Sequence, residues 1–358
     1  MKVAQSAEFL LAVECCARSF APPPAAAPAV DLDEVEWPRF LRLVRFHRIE
    51  GLAWNALATI SDLPDAARAE LPDAASAIAV RNLQGAAECR RLLALFEAAK
   101  IPLLFLKGLT LGALAYGKPA IKSAIDIDLL IDPGDLGQAA EILRQDGYRV
   151  AFPPRDDAIQ AWHRRCKESD WLKAEPRLQL DLHTRTADNP ALIPVITVHA
   201  PRQAVALGDE LSLPTLATDE LFAYLAVHGA ASAWFRLKWI SDFAALLHRE
   251  PPRELDRLYR RSQELGAGRA AGQALLLADA LFGSLQSCPA LRDRLISDRT
   301  ARLLFRAALD QVTGEPIEPT KHLFGTMTIH WTQFLLLRGL GYKWSELTGQ
   351  AVRALKWF

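Results

Sequence analysis

Two aspartates sit one residue apart inside an otherwise aliphatic run, Ile125-Asp126-Ile127-Asp128-Leu129-Leu130-Ile131. A β-strand sends alternate side chains to opposite faces, so Asp126 and Asp128 leave the same face, about 7 Å apart along the strand. On a buried strand, two carboxylates that close repel each other and lose hydration, a cost that a cation offsets. Oxygen ligands on a rigid element suit Mg²⁺, which takes one or two carboxylates plus substrate phosphates. The plainer reading is a strand with a solvated polar face, and the flanking sequence decides between the two.

Upstream, Ile101 to Leu106 is an aliphatic run bounded by Pro102 and Gly108. It reads as a buried strand followed by a tight turn and a short helix over 109–115. Gly108 lets a ligand approach the backbone, amides at a helix start bind phosphate oxygens, and Lys107 and Thr110 flank that turn. Downstream, Leu178-Gln179-Leu180-Asp181-Leu182-His183 alternates strictly, with leucines on one face and Gln179, Asp181 and His183 on the other. Paired in register beside the first strand, Asp181 becomes a third carboxylate. Three converging carboxylates near a phosphate-binding turn are what two-metal phosphoryl transfer requires.

Together, Leu106-Lys107-Gly108, Asp126-Ile127-Asp128 and Asp181 resemble the DNA polymerase β-type nucleotidyltransferase superfamily. More closely, the chain resembles a large bacterial family of uncharacterised nucleotidyltransferases. There an aspartate-histidine strand recurs, with a helical segment similar to His228-Gly229-Ala230, Trp234, Leu237-Lys238-Trp239 and Asp242. The resemblance spans roughly 95–250. It implies an α+β fold: a small mixed twisted sheet of the nucleotidyltransferase type between N-terminal helices and a C-terminal helical domain. It also implies two Mg²⁺ ions held by Asp126, Asp128 and Asp181, and a nucleoside triphosphate (NTP) as substrate. Lys107, Gly108, Thr110, Lys122 and Lys238 would contact its phosphates. Two positions depart from the superfamily pattern: Leu109 follows Gly108, and Lys122 stands where arginine is frequent, giving charge without a bidentate fork.

His183 shares the face of Asp181 and reads either as a contact to metal, phosphate or acceptor, or as a hydrogen-bonding group within the sheet. His228 reads as a helix-end cap or a site residue. Lys238 and Asp242, four apart on a helix, read as a surface pair or as a phosphate contact and its neighbour. The remaining histidines show no metal-ligand spacing, and Trp234 and Trp239 read as core. The sequence has no P-loop, dinucleotide-binding or nucleophile-elbow motif.

Lys plus Arg and Asp plus Glu are balanced at 42 each, so no global field favours nucleic acid or an anionic membrane. That balance favours a small-molecule or peptide acceptor. The five cysteines form no C-x-x-C pair, and no uncharged run reaches the ~18 residues of a membrane span, so the expectation is a reduced, cytoplasmic protein. The expected organisation is a helical region over 1–95, a nucleotidyltransferase core over 96–216 and a helical domain over 217–358. A helix over 5–18, a proline-rich linker over 21–28, a helix from Asp73 to about Ala99, a hairpin around Gly208, a helix capped by Asp219, and a packed terminal helix over 330–357 complete the reading. Two competitors stand beside the enzyme: a catalytically inactive nucleotide-binding regulator and a structural helical scaffold.

Overall fold

The computed structural model describes residues 6–21, 28–174, 178–321 and 324–355, with side chains to 352. Most of the proline-rich stretch lies outside these residues, as does His322. The fold is α+β, with a five-stranded mixed sheet among helices and a helical C-terminal region.

Four helices precede the sheet: α1 (Ala7–Arg18), α2 (Trp37–His47), α3 (Glu50–Leu57) and α4 (Asp65–Ala98). Ser6 caps α1 by accepting the Phe9 amide at 3.3 Å. Helix α4 begins at Asp65, with Pro64 as N-cap, earlier than the Asp73 start expected. Pro72 lies inside it and supplies no N–H to the helical ladder, while the Arg68 side chain donates to the carbonyls of Leu63 and Ser61.

Strand β1 (Leu103–Phe105) leads through Gly108 into α5 (Leu109–Tyr116), then to β2 (Asp126–Ile131) and α6 (Leu136–Gln145). An edge strand β3 (Tyr148–Phe152), the short helix α7 (Ile159–His163), β4 (Glu168–Lys173) and β5 (Leu178–His183) complete the sheet. Its order is β1-β2-β5-β4-β3. Only the β2–β5 pair is parallel, which sets Asp128 opposite Asp181 and Leu130 opposite His183. Antiparallel β4 then brings Asp170 against Asp181 and Glu168 against His183.

Because the register is shared, one sheet face carries Ile127, Leu129, Ile131, Leu180, Leu182 and Trp171. They pack with Leu92 and Phe96 of α4 and Leu136 and Leu143 of α6. The opposite face carries the acids. At its far end, Leu104, Leu106 and Leu130 join a larger core shared by the N-terminal and C-terminal helices.

A two-stranded hairpin, β6 (Arg202–Ala206) and β7 (Ser212–Leu216), precedes α8 (Thr218–Ala231) and α9 (Leu237–Arg249). Ala217, not Asp219, is the N-cap of α8; Asp219 sits in the first turn and pairs with Arg257 at 2.7 Å. Helices α10 (Glu254–Glu264), α11 (Arg269–Phe282), α12 (Pro289–Ser297) and α13 (Arg299–Thr313) follow. The expected single helix over 330–357 is two, α14 (Met327–Gln333) and α15 (Leu340–Leu355), parted at Gly339, whose φ is +99°. Nor is α15 packed all round: Leu340 is 85% exposed and Trp344 68%. Among the described residues no helix is long and apolar enough to cross a membrane.

Candidate active site

The turn between β1 and α5 is possible because Gly108 adopts φ +72°, beside the Asp126 carbonyl and Ala124. It leaves Lys107 over the acid face of β2. The Lys107 ammonium is 2.5 Å from Asp128 Oδ2 and 3.7 Å from Asp126 Oδ2, so the two carboxylates share one internal cation. The Thr110 hydroxyl, expected beside phosphate, donates to the Lys107 carbonyl at 3.2 Å and so supports the turn.

Burial alone would raise the Asp128 carboxyl, yet Lys107 and His183 overcome it and hold Asp128 far below the usual carboxylate range. At Asp181 the pull of Lys107 is outweighed. Burial, followed by the nearby charges of Asp128, Asp126 and Glu168, pushes its carboxyl up to about 8. Lys107 responds in the opposite sense to its own burial, held well above the usual lysine value by Asp126 and Asp128.

Ligand atoms of Asp128, Asp181 and His183 all lie within 4.8 Å of one another, the one such group among the described residues. Of the expected Asp126, Asp128 and Asp181, this compact group holds Asp128 and Asp181. Asp126 is the first residue of its strand, opposite Gln179, and stands at the rim, joined to Asp128 through Lys107. His183 joins the compact group, with Nε2 3.1 Å from Asp128 Oδ1.

A cleft of about 640 Å³, open mouth included, runs from this rim toward the C-terminal helices. Its walls include Asp126, Lys107, Lys122, Arg48, and His228, Lys238 and Trp239 from α8 and α9. The 119–122 loop that carries Lys122 is held by Asn82 of α4, whose side-chain amide donates to the carbonyls of Pro119, Ala120 and Lys122. Gly51 permits the same loop's close passage, since a Cβ there would meet the Ile121 carbonyl at 2.3 Å.

The surface-pair reading of Lys238 and Asp242 fails, because both are buried and neither pairs with the other in the way expected. Asp242 faces Lys122 at 3.4 Å, while Lys238 donates to the Ser123 carbonyl at 2.8 Å. Burial, with Lys122 close by, brings the Lys238 ammonium down to about 7. His228 is not a helix-end cap but lies in the last turns of α8, against Tyr224 and Trp239 with ring centroids 5.8 Å away in each case. Burial and the nearby lysines hold it well below the usual histidine value, hence neutral.

Sequence reasoning passed over Glu168, Lys167 and Tyr224. Glu168-Ser169-Asp170 repeats the acid-x-acid alternation of Asp126-Ile127-Asp128, and that pattern was the available signal. Glu168 Oε2 lies 3.1 Å from His183 Nδ1 and 2.5 Å from Lys167. Despite its burial, Lys167 and His183 pull Glu168 down to about 2. The Tyr224 hydroxyl, on α8, is buried without a hydrogen-bond partner, and burial with Asp128 nearby raises it above its ordinary value.

A donor set of carboxylates and one imidazole beside a lysine-rich cleft suits a divalent cation with a polyphosphate. Residues 33–283 match the model of a family described as uncharacterised nucleotidyltransferase, and no curated protein matches the chain.

Proposed function

The chain belongs to this nucleotidyltransferase family, and from that premise we propose that it moves a nucleoside monophosphate from an NTP to a small-molecule or peptide acceptor, releasing pyrophosphate. The observation that carries the reading is the parallel β2–β5 register, which sets Asp128 beside Asp181, with Asp126 of the same strand lining a cleft that also bears Lys107, Lys122 and Lys238. Asp126, Asp128 and Asp181 are the residues to hold divalent cations, two Mg²⁺ ions in this reading. When bound, such ions neutralise phosphate charge and polarise the reacting phosphoryl group.

The protein's own groups do the rest. Lys107 is shared by Asp126 and Asp128 in the resting site and turns to the triphosphate as it arrives. The amides after Gly108, at the start of α5, donate to phosphate oxygens. Lys122 and Lys238 neutralise the tail from the side of α9, and the neutral His228 lines the same wall. Asp181, held ionised once a cation sits beside it, would help take the proton from the attacking group of the acceptor.

The test is incubation of α-³²P-labelled NTPs and Mg²⁺ with candidate small molecules and peptides, following labelled product and pyrophosphate. Asp128→Asn keeps volume and removes charge, so turnover should fall on the order of 10³-fold, the scale of losing a preorganised electrostatic group. Wild-type turnover in Asp128→Asn sinks the assignment. The buried Lys107–Asp128 pair also favours a second reading, a nucleotide-binding regulator without turnover. Cation-dependent NTP binding with no pyrophosphate release in any acceptor mixture identifies that case.

A further inference from the structure

His183 stands between two carboxylates. Its Nε2 is 3.1 Å from Asp128 Oδ1, its Nδ1 is 3.1 Å from Glu168 Oε2, and the side chain is 1% exposed. Nδ1 makes no well-aligned hydrogen bond, so Glu168 is the acceptor within its reach. Glu168 is itself anchored by Lys167 at 2.5 Å.

A neutral imidazole carries one N–H. In the cation-free site Nε2–H donates to the Asp128 oxygen at 3.1 Å; a cation held there would take that proton's place, with the N–H passing to Nδ1, which lies 3.1 Å from Glu168 Oε2. The carboxylate of Asp181 completes a three-donor set with every ligand atom within 4.8 Å. A histidine that binds a metal through one nitrogen while turning the other N–H to a carboxylate is a general feature of metal centres. Glu168–His183 supplies that carboxylate.

We propose that His183 Nε2 is a metal ligand together with Asp128 and Asp181, so that the two cation positions of the site differ in kind. The position at Asp126 and Asp128, where the Lys107 ammonium now sits, offers oxygen alone and suits Mg²⁺. The position at Asp128, Asp181 and His183 mixes imidazole with carboxylate and favours a first-row transition ion such as Mn²⁺ over Mg²⁺. Glu168 is then a positioning residue that fixes the tautomer of His183. The inference rests on the proposed cation dependence but concerns the ligand set alone.

Pulsed electron paramagnetic resonance of Mn²⁺ added to the full chain reads that set directly, without turnover. Wild type should show ¹⁴N modulation from a bound imidazole, and this should change to the ¹⁵N pattern when the protein is made with ¹⁵N-histidine. That arm needs no variant. His183→Gln should abolish the nitrogen coupling and lower the Mn²⁺ over Mg²⁺ preference about tenfold or more, and Glu168→Gln should lower it less. Circular dichroism of each variant checks the fold. Mn²⁺ bound in an Asp128-dependent way with no nitrogen coupling overturns the inference and leaves the proposed transfer standing. Failure of Mn²⁺ to bind wild type, even with a non-hydrolysable NTP analogue, overturns both.

Discussion

The two faces of the β2–β5–β4 strip are built from the same three strands and obey opposite rules. One face puts Leu129, Leu180, Leu182 and Trp171 against α4 and α6, all 0% exposed, so each side chain gains by leaving water. The other gathers Asp126, Asp128, Asp170, Asp181 and Glu168 along with His183, and sets Lys107 and Lys167 among them. Desolvation is favourable on the first face and costly on the second. Function belongs on the face where folding alone leaves charge poorly matched, because a charged ligand can then contribute what the fold does not.

Breaking the apolar face separates the two most sharply. Leu180→Ala removes a fully buried side chain from the central strand and should cost about 3 kcal/mol of stability, through lost transfer energy and the cavity left behind. Urea denaturation should report that loss, while the affinity for Mn²⁺ of the folded protein stays unchanged. A matching drop in cation affinity would mean the faces are not independent.

The acid face predicts a different signature. Lys107→Met takes away the ammonium that Asp126 and Asp128 share and leaves a buried carboxylate short of its partner. The expected loss without divalent ions is up to about 3 kcal/mol. Unlike the leucine variant, Lys107→Met should recover much of its deficit in Mg²⁺ or Mn²⁺, since an ion binding only the folded state raises its melting temperature. Recovery no larger than that of wild type would show that Lys107 does not occupy a cation's position.

The contrast also explains what the sequence made legible. Asp126, Asp128 and Asp181 could be placed because alternation is local and the leucines of 178–183 name their own face. Strand β3 could not. Its Tyr-Arg-Val-Ala-Phe run lies on the sheet edge with Arg149 and Ala151 exposed, and it depends on pairing with β4, a partner only the fold supplies. The place of Asp126 at the rim likewise follows from the parallel register, which sets Gln179 opposite it. The partner of Lys107 depends on how the Gly108 turn folds back over β2. Glu168 differs: its acid-x-acid spacing was visible, but a single pair of acids carries little meaning until His183 stands beside it.

The smallest expected effect is at the cleft wall opposite the sheet, where α9 brings Lys238. Its ammonium sits near 7 because burial and Lys122 disfavour the charge, and its partner is the neutral Ser123 carbonyl. A triphosphate in the cleft would favour the protonated form. Binding should therefore be strengthened by Lys238 below that pH and lose the contribution as pH rises through and above about 7. Lys238→Ala should weaken NTP binding about tenfold, ~1.4 kcal/mol, at pH 6. The gap between variant and wild type should narrow at pH 8.5. Comparing the two proteins removes the titration of the nucleotide itself, common to both. Calorimetric titration at the two pH values measures the gap. A gap that is constant with pH would assign Lys238 to packing against Ser123, and the cleft's charge would then come from Lys107, Lys122 and Arg48.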